Sequence, residues 1–440
     1  MPSKPFHLAY FLGGSKVQGW KQRWALNDPA GWMGPELYVH VARELERGCL
    51  DYILLEDQYQ IADRYGSSMA FAVENALSTP RQDPSVLATA MLGATGRIGL
   101  IPTLPTFAYH PYLLARLIGS MAQISGGRVG WNVVTGSSQR AYQNFGLDEM
   151  PEHDLRYEMA SEFVALTNAL WSSWDEDSVV MGADQKRFAD PDKVHRVDFR
   201  GRWFSSRGPL NIGPIPDGRP AIAQAGSSVR GRRFAAEVAD TVVAEAHTIE
   251  EMKRYRLEIR EHARAAGRDP DLVKVLFTIC PIVGTTDADA AAVLELRRTD
   301  AQGKVEQTLA LLSNLTDIDF SVFPLDEPLE HLTLSTQGTQ ATLTDFIERA
   351  RGRTLREAAL EMQAAVDDAH GLVGSPDTVA GRMCELMEEV GGDGFLLAND
   401  TLTRRSIAEF VDGLIPELQR RGAVRCEYSA QTLRGHLSEF

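Results

Sequence analysis

The amino-acid sequence predicts an α/β fold, and specifically a TIM (β/α)8 barrel with insertions. Short apolar runs alternate with longer helical patterns about eight times along the chain, which is typical of a parallel sheet whose strands are joined by helices. The run Asp51–Asp57 (DYILLED) has a continuous apolar centre, as expected for a strand that is covered on both faces. A doubly wound nucleotide-binding sheet fits less well, because no G-x-G-x-x-G follows any predicted strand.

The first half of the chain predicts four strand–helix units. His7–Leu12 is the first strand, and helix Pro35–Gly48 places Leu37, Val41 and Leu45 on one face at helical spacing. The following elements are, in order, strand Asp51–Asp57, helix Pro84–Thr95, strand Arg97–Pro102, helix Pro111–Ser125, strand Arg128–Thr135 and helix Asp154–Ser172.

The second half continues the alternation after a polar, Gly/Pro-rich stretch that holds one expected hairpin around Val197–Phe204. Ser375 and Pro376 open a helix as N-cap and first helical residue, after a helical region over 286–370. The other elements are strand Ala221–Gln224, helix Ser228–Val238, strand Thr241–Ala246, helix Ile249–Ala266, strand Val273–Val283, strand Gly394–Ala398 and helix Ser406–Arg421. We therefore expect a single barrel domain over 1–440, with insertions at about 13–34, 58–84, 174–218 and 286–370.

The charge balance excludes several classes of function. The chain has 45 Lys and Arg against 60 Asp and Glu, a net charge of −15, which disfavours binding to a nucleic-acid backbone. It lacks a run of about 18 apolar residues, so we expect no membrane span. The four cysteines stand far apart with no CxxC or CxxH pair, which is typical of a cytoplasmic protein and gives no metal site.

Polar residues recur at the predicted strand ends, where a barrel carries its chemistry. Asp57 ends the second strand, Thr103 follows the third, and Asn132 lies in the fourth. Each of them alone could simply cap the next helix, but their recurrence at successive strands favours a site.

Two local patterns predict a phosphate-binding site. Gln224-Ala225-Gly226-Ser227-Ser228 is a strand end, a small-residue turn and a helix start, where backbone N–H groups are free to bind an anion and Arg230 could add charge. His153 and Tyr157 are four residues apart at the start of another helix and would share a face. The alternatives are an ordinary N-cap turn for the first pattern, and an Asp154 cap with a solvated Arg156 for the second.

Long segments of the sequence resemble one family. These segments are LLED, IPTLPTFAYHPYLLARLIGSMAQISGGRVGWNVVTGSS, EHDLRYEMASEF, AIAQAGSSVRGRRFAA and IPELQRRGAVRCEYSAQTLRGHL. They resemble the bacterial-luciferase-like flavin-dependent monooxygenases, in particular the nitrilotriacetate monooxygenase branch, which also holds long-chain alkane and dibenzothiophene sulfone monooxygenases. The resemblance implies a barrel that uses reduced FMN, supplied by a separate NAD(P)H:flavin reductase, and dioxygen to oxygenate a small organic substrate. It also implies a homodimer or a homotetramer.

The resemblance implies roles for individual residues. The flavin-contacting positions are Asp57, Thr103, Asn132, His153, Tyr157, Ser227 and Ser228. Residues that could line the substrate pocket are Tyr10, Phe11, Trp20, Tyr59, His247 and His331. No residue is assigned as catalytic.

The sequence departs from the family at two places and leaves alternatives open. Gln18 and Leu311 stand where alkane and sulfone monooxygenases carry histidines, whereas Asp317–Leu329 is similar to the nitrilotriacetate and sulfur-amino-acid branch. One alternative is a deazaflavin-dependent dehydrogenase on the same barrel. Another is a non-catalytic flavin-binding partner subunit. A phosphate-ester lyase or isomerase is disfavoured because few lysines lie at strand ends.

Overall fold

The barrel is closed by eight parallel strands, each of which pairs with the next one along the chain. The computed structural model describes residues 4–14, 34–181, 186–328, 336, 338–368, 370–399 and 402–440. The barrel strands are β1 (His7–Leu12), β2 (Tyr52–Leu55), β3 (Gly99–Pro105), β4 (Gly130–Val134), β5 (Ala221–Gln224), β6 (Thr241–Ala244), β7 (Lys274–Ile279) and β8 (Gly394–Leu397). β8 pairs back onto β1, with His7 opposite Gly394, and this confirms the predicted TIM (β/α)8 fold.

Helices surround the barrel and fill its insertions. They are α1 (Glu36–Arg47), α2 (Ala70–Asn75), α3 (Pro84–Ala94), α4 (Pro111–Ser125), α5 (Gln139–Gln143), α6 (His153–Trp171), α7 (Val229–Val238), α8 (Ile249–Ala265), α9 (Asp287–Gln302), α10 (Val305–Thr316), α11 (Gln340–Ala350), α12 (Leu355–Asp368), α13 (Pro376–Val390), α14 (Arg404–Ala408), α15 (Ile415–Arg420) and α16 (Leu433–Leu437). Within the described residues, no helix combines the length and the apolar composition that crossing a membrane requires.

Most predicted elements lie within two residues of their observed bounds, and two are interrupted. Strand Val273–Val283 breaks after Ile279, because Pro281 has no N–H to donate to a ladder; Ile282–Val283 pairs instead with Val373–Gly374. The final helix contains a π-helical segment, Glu409–Leu414, directly before Pro416, which also cannot donate. The hairpin in the 174–218 insertion pairs Phe199–Arg200 with Ser205–Ser206.

Side chains alternate along each strand between the barrel interior and the layer beneath the helices. Ala9, Leu54, Val243 and Leu276 point inward, where they pack with Leu433 and Leu437. Their strand neighbours belong to the larger cluster between barrel and helices, which includes Leu8, Ile53, Val242 and Phe277. This two-residue alternation identifies which side chains at the strand ends face the opening of the barrel.

The amino-terminal end of the barrel, here called the base, is held by three aspartates. Asp51, Asp240 and Asp393 precede β2, β6 and β8, and each accepts a backbone N–H from the neighbouring strand, at Leu8, Ile222 and Val275 respectively. Each also pairs with an arginine: Asp51 with Arg425 (2.7 Å), Asp240 with Arg219 (2.7 Å) and Asp393 with Arg256 (3.0 Å). Each basal aspartate thereby ties the start of its own strand to the strand that precedes it in the barrel.

The last helix, α16, closes the base. Its Leu433 and Leu437 enter the barrel interior, and the Leu433 N–H donates to the Gly127 carbonyl. A methyl group on Gly99, at the start of β3, would lie 2.6 Å from Leu433 Cδ1, so this position has room only for glycine. The open end of the barrel is therefore the opposite, carboxyl-terminal end, here called the mouth.

Candidate active site

The residues that the sequence predicts to bind a phosphate come together between β5 and α6. β5 ends at Gln224, and Ser228 caps α7 by accepting the Gly231 N–H at 3.0 Å. A methyl group on Gly231 would lie 2.7 Å from Tyr157 Oη and 3.0 Å from Ser228 Oγ. The Tyr157 hydroxyl therefore lies in direct contact with the start of α7.

Close approach within the turn explains its small residues. A methyl group on Gly226 would lie 2.5 Å from the Gly231 carbonyl oxygen, so the turn and the first helical turn touch through their backbones. The Ser227 side chain, next to it, is exposed. Exposed backbone N–H groups at a helix start, with two hydroxyls beside them, can bind an anion.

His153 and Arg230 flank Tyr157. The His153 ring stands edge-on to the Tyr157 ring, with 5.1 Å between centroids, and its Nδ1 lies 2.7 Å from Asp154 Oδ1. The Arg230 guanidinium carbon lies 5.7 Å from the Tyr157 ring centre. Arg230 Nη1 is buried and has no hydrogen-bond partner among the described residues, which makes it available to an anion at the turn.

Arg156 differs from the expectation. We expected it in solvent, but it is 4% exposed, because the face of α6 that carries Arg156 packs on the loop after β4 and not on solvent. Its Nη1 donates to the Gly136 carbonyl, and burial lowers the pKa of its guanidinium.

Thr103 and Asn132 face the barrel interior side by side. They are register partners on β3 and β4, and Asn132 Nδ2 donates to Thr103 Oγ1 at 2.9 Å. Asn132 is 5% exposed, and its Oδ1 has no partner among the described residues. A buried acceptor without a donor is costly, so a ligand N–H at this place would stabilise it.

Asp57 lies after β2 in a mostly buried position. Burial raises the pKa of this carboxyl to about 7, although Arg81, whose Nη1 lies 3.8 Å away, opposes the shift. Asp57 is thus close to half-protonated near neutral pH, a property that suits proton transfer.

The predicted pocket residues fall in different places. Tyr10 is fully buried in the layer beneath the helices, and its hydroxyl donates to Asn399 Oδ1 at 2.7 Å. Phe11 points inward at the end of β1, and Tyr59 Oη lies 3.4 Å from Tyr109 Oη. Trp20 and His331 lie outside the described residues.

His247 follows β6 and begins the α8 capping region. Its backbone N–H donates to Glu251, which also forms a capping box with Thr248. The imidazole lies near Glu245, whose pKa is raised by desolvation, and it opposes part of that rise. Leu311, at one of the two departures from the family, lies beside an apolar cavity that is also lined by Tyr65 and Phe71, while Gln18 lies outside the described residues.

Sequence reasoning missed one carboxylate at the mouth, Glu245, which directly follows β6 and lies two residues beyond inward Val243. Glu56 directly follows β2, and its carboxylate accepts the backbone N–H of Gly14. Desolvation raises the pKa of Glu245, the charges of Asp345 and Glu56 raise it further, and His247 opposes the shift. Counting the alternation from Thr241 would have found Glu245. Among the described residues, no three His, Cys, Asp or Glu side chains gather as metal ligands.

Comparison with known proteins agrees with this architecture. The model of the luciferase-like monooxygenase family matches residues 24–394. A dibenzothiophene-sulfone monooxygenase of Rhodococcus erythropolis (strain XP) is 35% identical over 99% of this chain and 96% of its own length. An N-acetyl-S-(2-succino)cysteine monooxygenase of Bacillus subtilis (strain 168) is 33% identical over 98% of this chain and 96% of its own.

Solved structures give the same result. The crystal structure of DmoA from Hyphomicrobium sulfonivorans superposes with a TM-score of 0.87 and 31% identity, over 99% of this chain and 93% of that one. Full-length identity above 30%, a shared barrel and a family match across most of the sequence agree with one another. The chain belongs to the luciferase-like monooxygenase family.

Proposed function

We propose that this chain is the oxygenase component of a two-component system. In this proposal it uses reduced FMN, delivered by a separate NAD(P)H:flavin reductase, and dioxygen to oxygenate a small organic substrate. The observation that carries the proposal is the anion-binding turn at Ser227 and Ser228, which lies at the same barrel end as the buried, half-satisfied Asn132 amide. Family membership favours this reaction over the deazaflavin-dependent dehydrogenase and over a non-catalytic subunit.

The residues present fit a flavin mononucleotide. Ser227, Ser228, Tyr157 and Arg230 would hold its phosphate, with His153 behind Tyr157. Asn132 Oδ1 would accept a ring N–H, while its amide nitrogen stays on Thr103. The reduced ring supplies the electrons that activate dioxygen.

The chain's own contribution is orientation, proton transfer and exclusion of water. Asp57, with a pKa of about 7, can take up or release a proton at the mouth. The inward rows below the mouth are filled by apolar side chains such as Leu54 and Leu276, so water cannot enter the site from the barrel interior.

The substrate bond that we favour is C–S, with C–N as the second possibility. Both relatives described above are named for organosulfur compounds. The cytoplasmic location and the homodimer or homotetramer expected from the sequence also stay predictions.

The direct test is oxygen incorporation. The enzyme is incubated with FMN, NADH, an unrelated flavin reductase and labelled dioxygen, together with a panel of sulfides, sulfones and amines. We expect label in a product only when enzyme and substrate are both present. Free hydrogen peroxide with no labelled product from any panel member would contradict the proposal.

The cofactor assignment has a separate test. Ser228→Glu places a carboxylate where the phosphate would bind, and we expect it to abolish binding of reduced FMN in an anaerobic titration. Thr286→Glu introduces the same side chain at the exposed N-cap of α9, a comparable helix start that follows β7 and not β5, and it should leave binding unchanged. Equal affinity in the two variants would contradict the assignment.

A further inference from the structure

Two successive carbonyl groups of the anion-binding turn accept hydrogen bonds from side chains. The Tyr255 hydroxyl, on α8, donates to the Gly226 carbonyl at 2.5 Å. Arg232, on α7, donates through Nη1 to the Ser227 carbonyl. Neither bond belongs to a helix or a sheet, so each one fixes the orientation of a single peptide group in the turn.

The two donors support each other. The Arg232 guanidinium carbon lies 5.8 Å from the centre of the Tyr255 ring, and Arg232 Nε lies 2.9 Å from Glu258 Oε1. Tyr255 and Glu258 are three residues apart on α8, so they share one face of that helix. The Tyr255 ring also stands edge-on to the Phe277 ring, with 6.3 Å between centroids. Packing on α8 and β7 therefore holds both donors against the back of the turn.

Both groups remain donors at neutral pH. Desolvation raises the pKa of the Tyr255 hydroxyl above the ordinary value of tyrosine, so this group stays protonated. An arginine side chain has only donors and keeps its charge. The two carbonyl oxygens of the turn are therefore bound at any pH at which the enzyme would work.

The direction of each carbonyl decides where the next N–H group points. The Gly226–Ser227 and Ser227–Ser228 peptide bonds are trans, and the C=O and N–H groups of a trans peptide point in opposite directions. The Ser227 N–H therefore points away from Tyr255, and the Ser228 N–H points away from the Arg232 guanidinium. Within the described residues, neither of these N–H groups has an acceptor.

The other candidates for binding a phosphate lie on that opposite side. α8 follows β6 and α6 follows β4, so the two helices flank the turn after β5 from opposite sides. Tyr157 belongs to α6, and the Arg230 guanidinium lies 5.7 Å from the centre of its ring. Arg230 Nη1 is buried and has no partner among the described residues. Two N–H groups and a cation thus converge on the α6 side of the turn.

We infer that Tyr255 is a positioning residue for the flavin phosphate: it holds the Gly226 carbonyl, as Arg232 holds the Ser227 carbonyl, and the N–H groups of Ser227 and Ser228 are thereby directed at the phosphate. This inference rests on the proposed function and deepens it, because it names residues that act on the cofactor through the backbone of the turn. Without the hydroxyl, the Gly226 peptide is free to rotate and to present its carbonyl oxygen, which repels the phosphate.

The test uses Tyr255→Phe, which keeps the ring and removes only the hydroxyl. The dissociation constants of reduced FMN and of reduced riboflavin are measured by anaerobic titration of the parent and the variant. We expect the affinity for reduced FMN to fall about tenfold. The affinity for reduced riboflavin should not change, because riboflavin lacks the phosphate, whereas a merely structural role of Tyr255 would weaken both flavins.

Two further variants complete the series. Tyr428→Phe is the matched control: its hydroxyl donates to the Leu50 carbonyl at 2.7 Å, the same kind of bond at the base of the barrel, and its loss should change neither affinity. Arg232→Lys keeps the charge but loses the planar donor group at the Ser227 carbonyl. It should weaken reduced-FMN binding about threefold and leave reduced-riboflavin binding unchanged.

The parent protein is titrated first, because it tests the phosphate site itself. If the parent does not prefer reduced FMN to reduced riboflavin, the proposed phosphate site is wrong, whatever Tyr255 does. If the parent shows this preference and Tyr255→Phe retains it in full, the inference about Tyr255 is wrong. Equal losses for both flavins also overturn it. Should Tyr255→Phe fail to fold, Arg232→Lys decides by the same two criteria.

Discussion

The two ends of the barrel treat carboxylates in opposite ways. At the base, Asp51 lies between His7 and Arg425, and these partners hold the pKa of its carboxyl below the usual value despite burial. At the mouth, the pKa of Asp57 and that of Glu245 are raised, because desolvation there outweighs the opposing charges of Arg81 and His247. The carboxylate pairs of the base stabilise the fold. The carboxylates of the mouth are costly in their charged form, and a proton or a ligand can remove that cost.

Removing a basal aspartate should produce the largest effect. Asp51→Ala removes the acceptor of the Leu8 N–H and the partner of His7, and leaves Arg425 with Glu439 as its carboxylate partner; we expect a loss of about 3–5 kcal/mol in the free energy of unfolding. Urea unfolding measures it. Asp412→Ala, which removes a largely exposed partner of Arg47, should cost less than about 1 kcal/mol.

Removing a carboxylate at the mouth should not lower the free energy of unfolding. Glu245→Gln removes a carboxylate that lies near Glu56, so the free energy of unfolding should stay the same or rise. If Glu245→Gln lost as much unfolding free energy as Asp51→Ala, the proposed difference between the carboxylates of the base and those of the mouth would be wrong.

A smaller effect is expected at the anion-binding turn. Arg230→Ala should weaken reduced-FMN binding about tenfold, or about 1.4 kcal/mol, and leave reduced-riboflavin binding unchanged, because riboflavin lacks the phosphate. Arg233→Ala, on the same helix but 66% exposed and paired with Glu237, is the control. Equal losses for both flavins would show that Arg230 acts on the fold and not on the phosphate.

The smallest expected effect is a pH dependence of stability. The pKa of Asp57 is about 7 in the folded protein and 3.8 in the ordinary state, so the folded protein holds this proton more tightly than the unfolded chain. Asp57 therefore destabilises the fold above pH 7, and the cost disappears as the pH falls toward 4. Asp57→Asn should be about 1 kcal/mol more stable than the parent at pH 8, and the difference should shrink by pH 5.

At the base, lowering the pH should reduce the stability of the fold and not increase it. Burial and the charge of Arg425 lower the pKa of His436, so protonation of this histidine opposes folding as the pH falls below the ordinary pKa of histidine.

For Asp57, the difference in the free energy of unfolding between Asp57→Asn and the parent should change with pH. A difference that is the same at pH 5 and pH 8 would contradict the assignment of a raised pKa to Asp57.

The barrel could be predicted from the sequence because its strands are apolar runs bounded by polar or glycine residues. β1 and β5 have the predicted bounds, and Ser375 with Pro376 opens α13 as expected. Two predicted elements are interrupted where proline removes a donor, at Pro281 and before Pro416. Short elements held by tertiary contacts, α2, α5 and α16, were missed because five or six residues carry too little pattern.

The site was predicted in part for a similar reason. Ser228 and Tyr157 belong to continuous local patterns, and the structure brings them together. Glu245 was missed because the predicted strand ended at Ala246, two residues beyond the observed end of β6 at Ala244. Glu245 was therefore not recognised as a residue that follows a strand. Phe107 and Phe145 contact each other across two loops that are distant in the sequence, so no local pattern could indicate that these rings meet.

The closure of the base by α16 has a consequence for how the protein is made. Leu433 and Leu437 complete an interior whose other walls come from strands that begin at His7, so the barrel cannot be sealed until residues near 437 have left the ribosome. Until then, the nascent strands expose an apolar interior to other chains and to chaperones. Fusing a reporter to the carboxyl end would hold this closing helix near the ribosome, and an amino-terminal tag would leave it free.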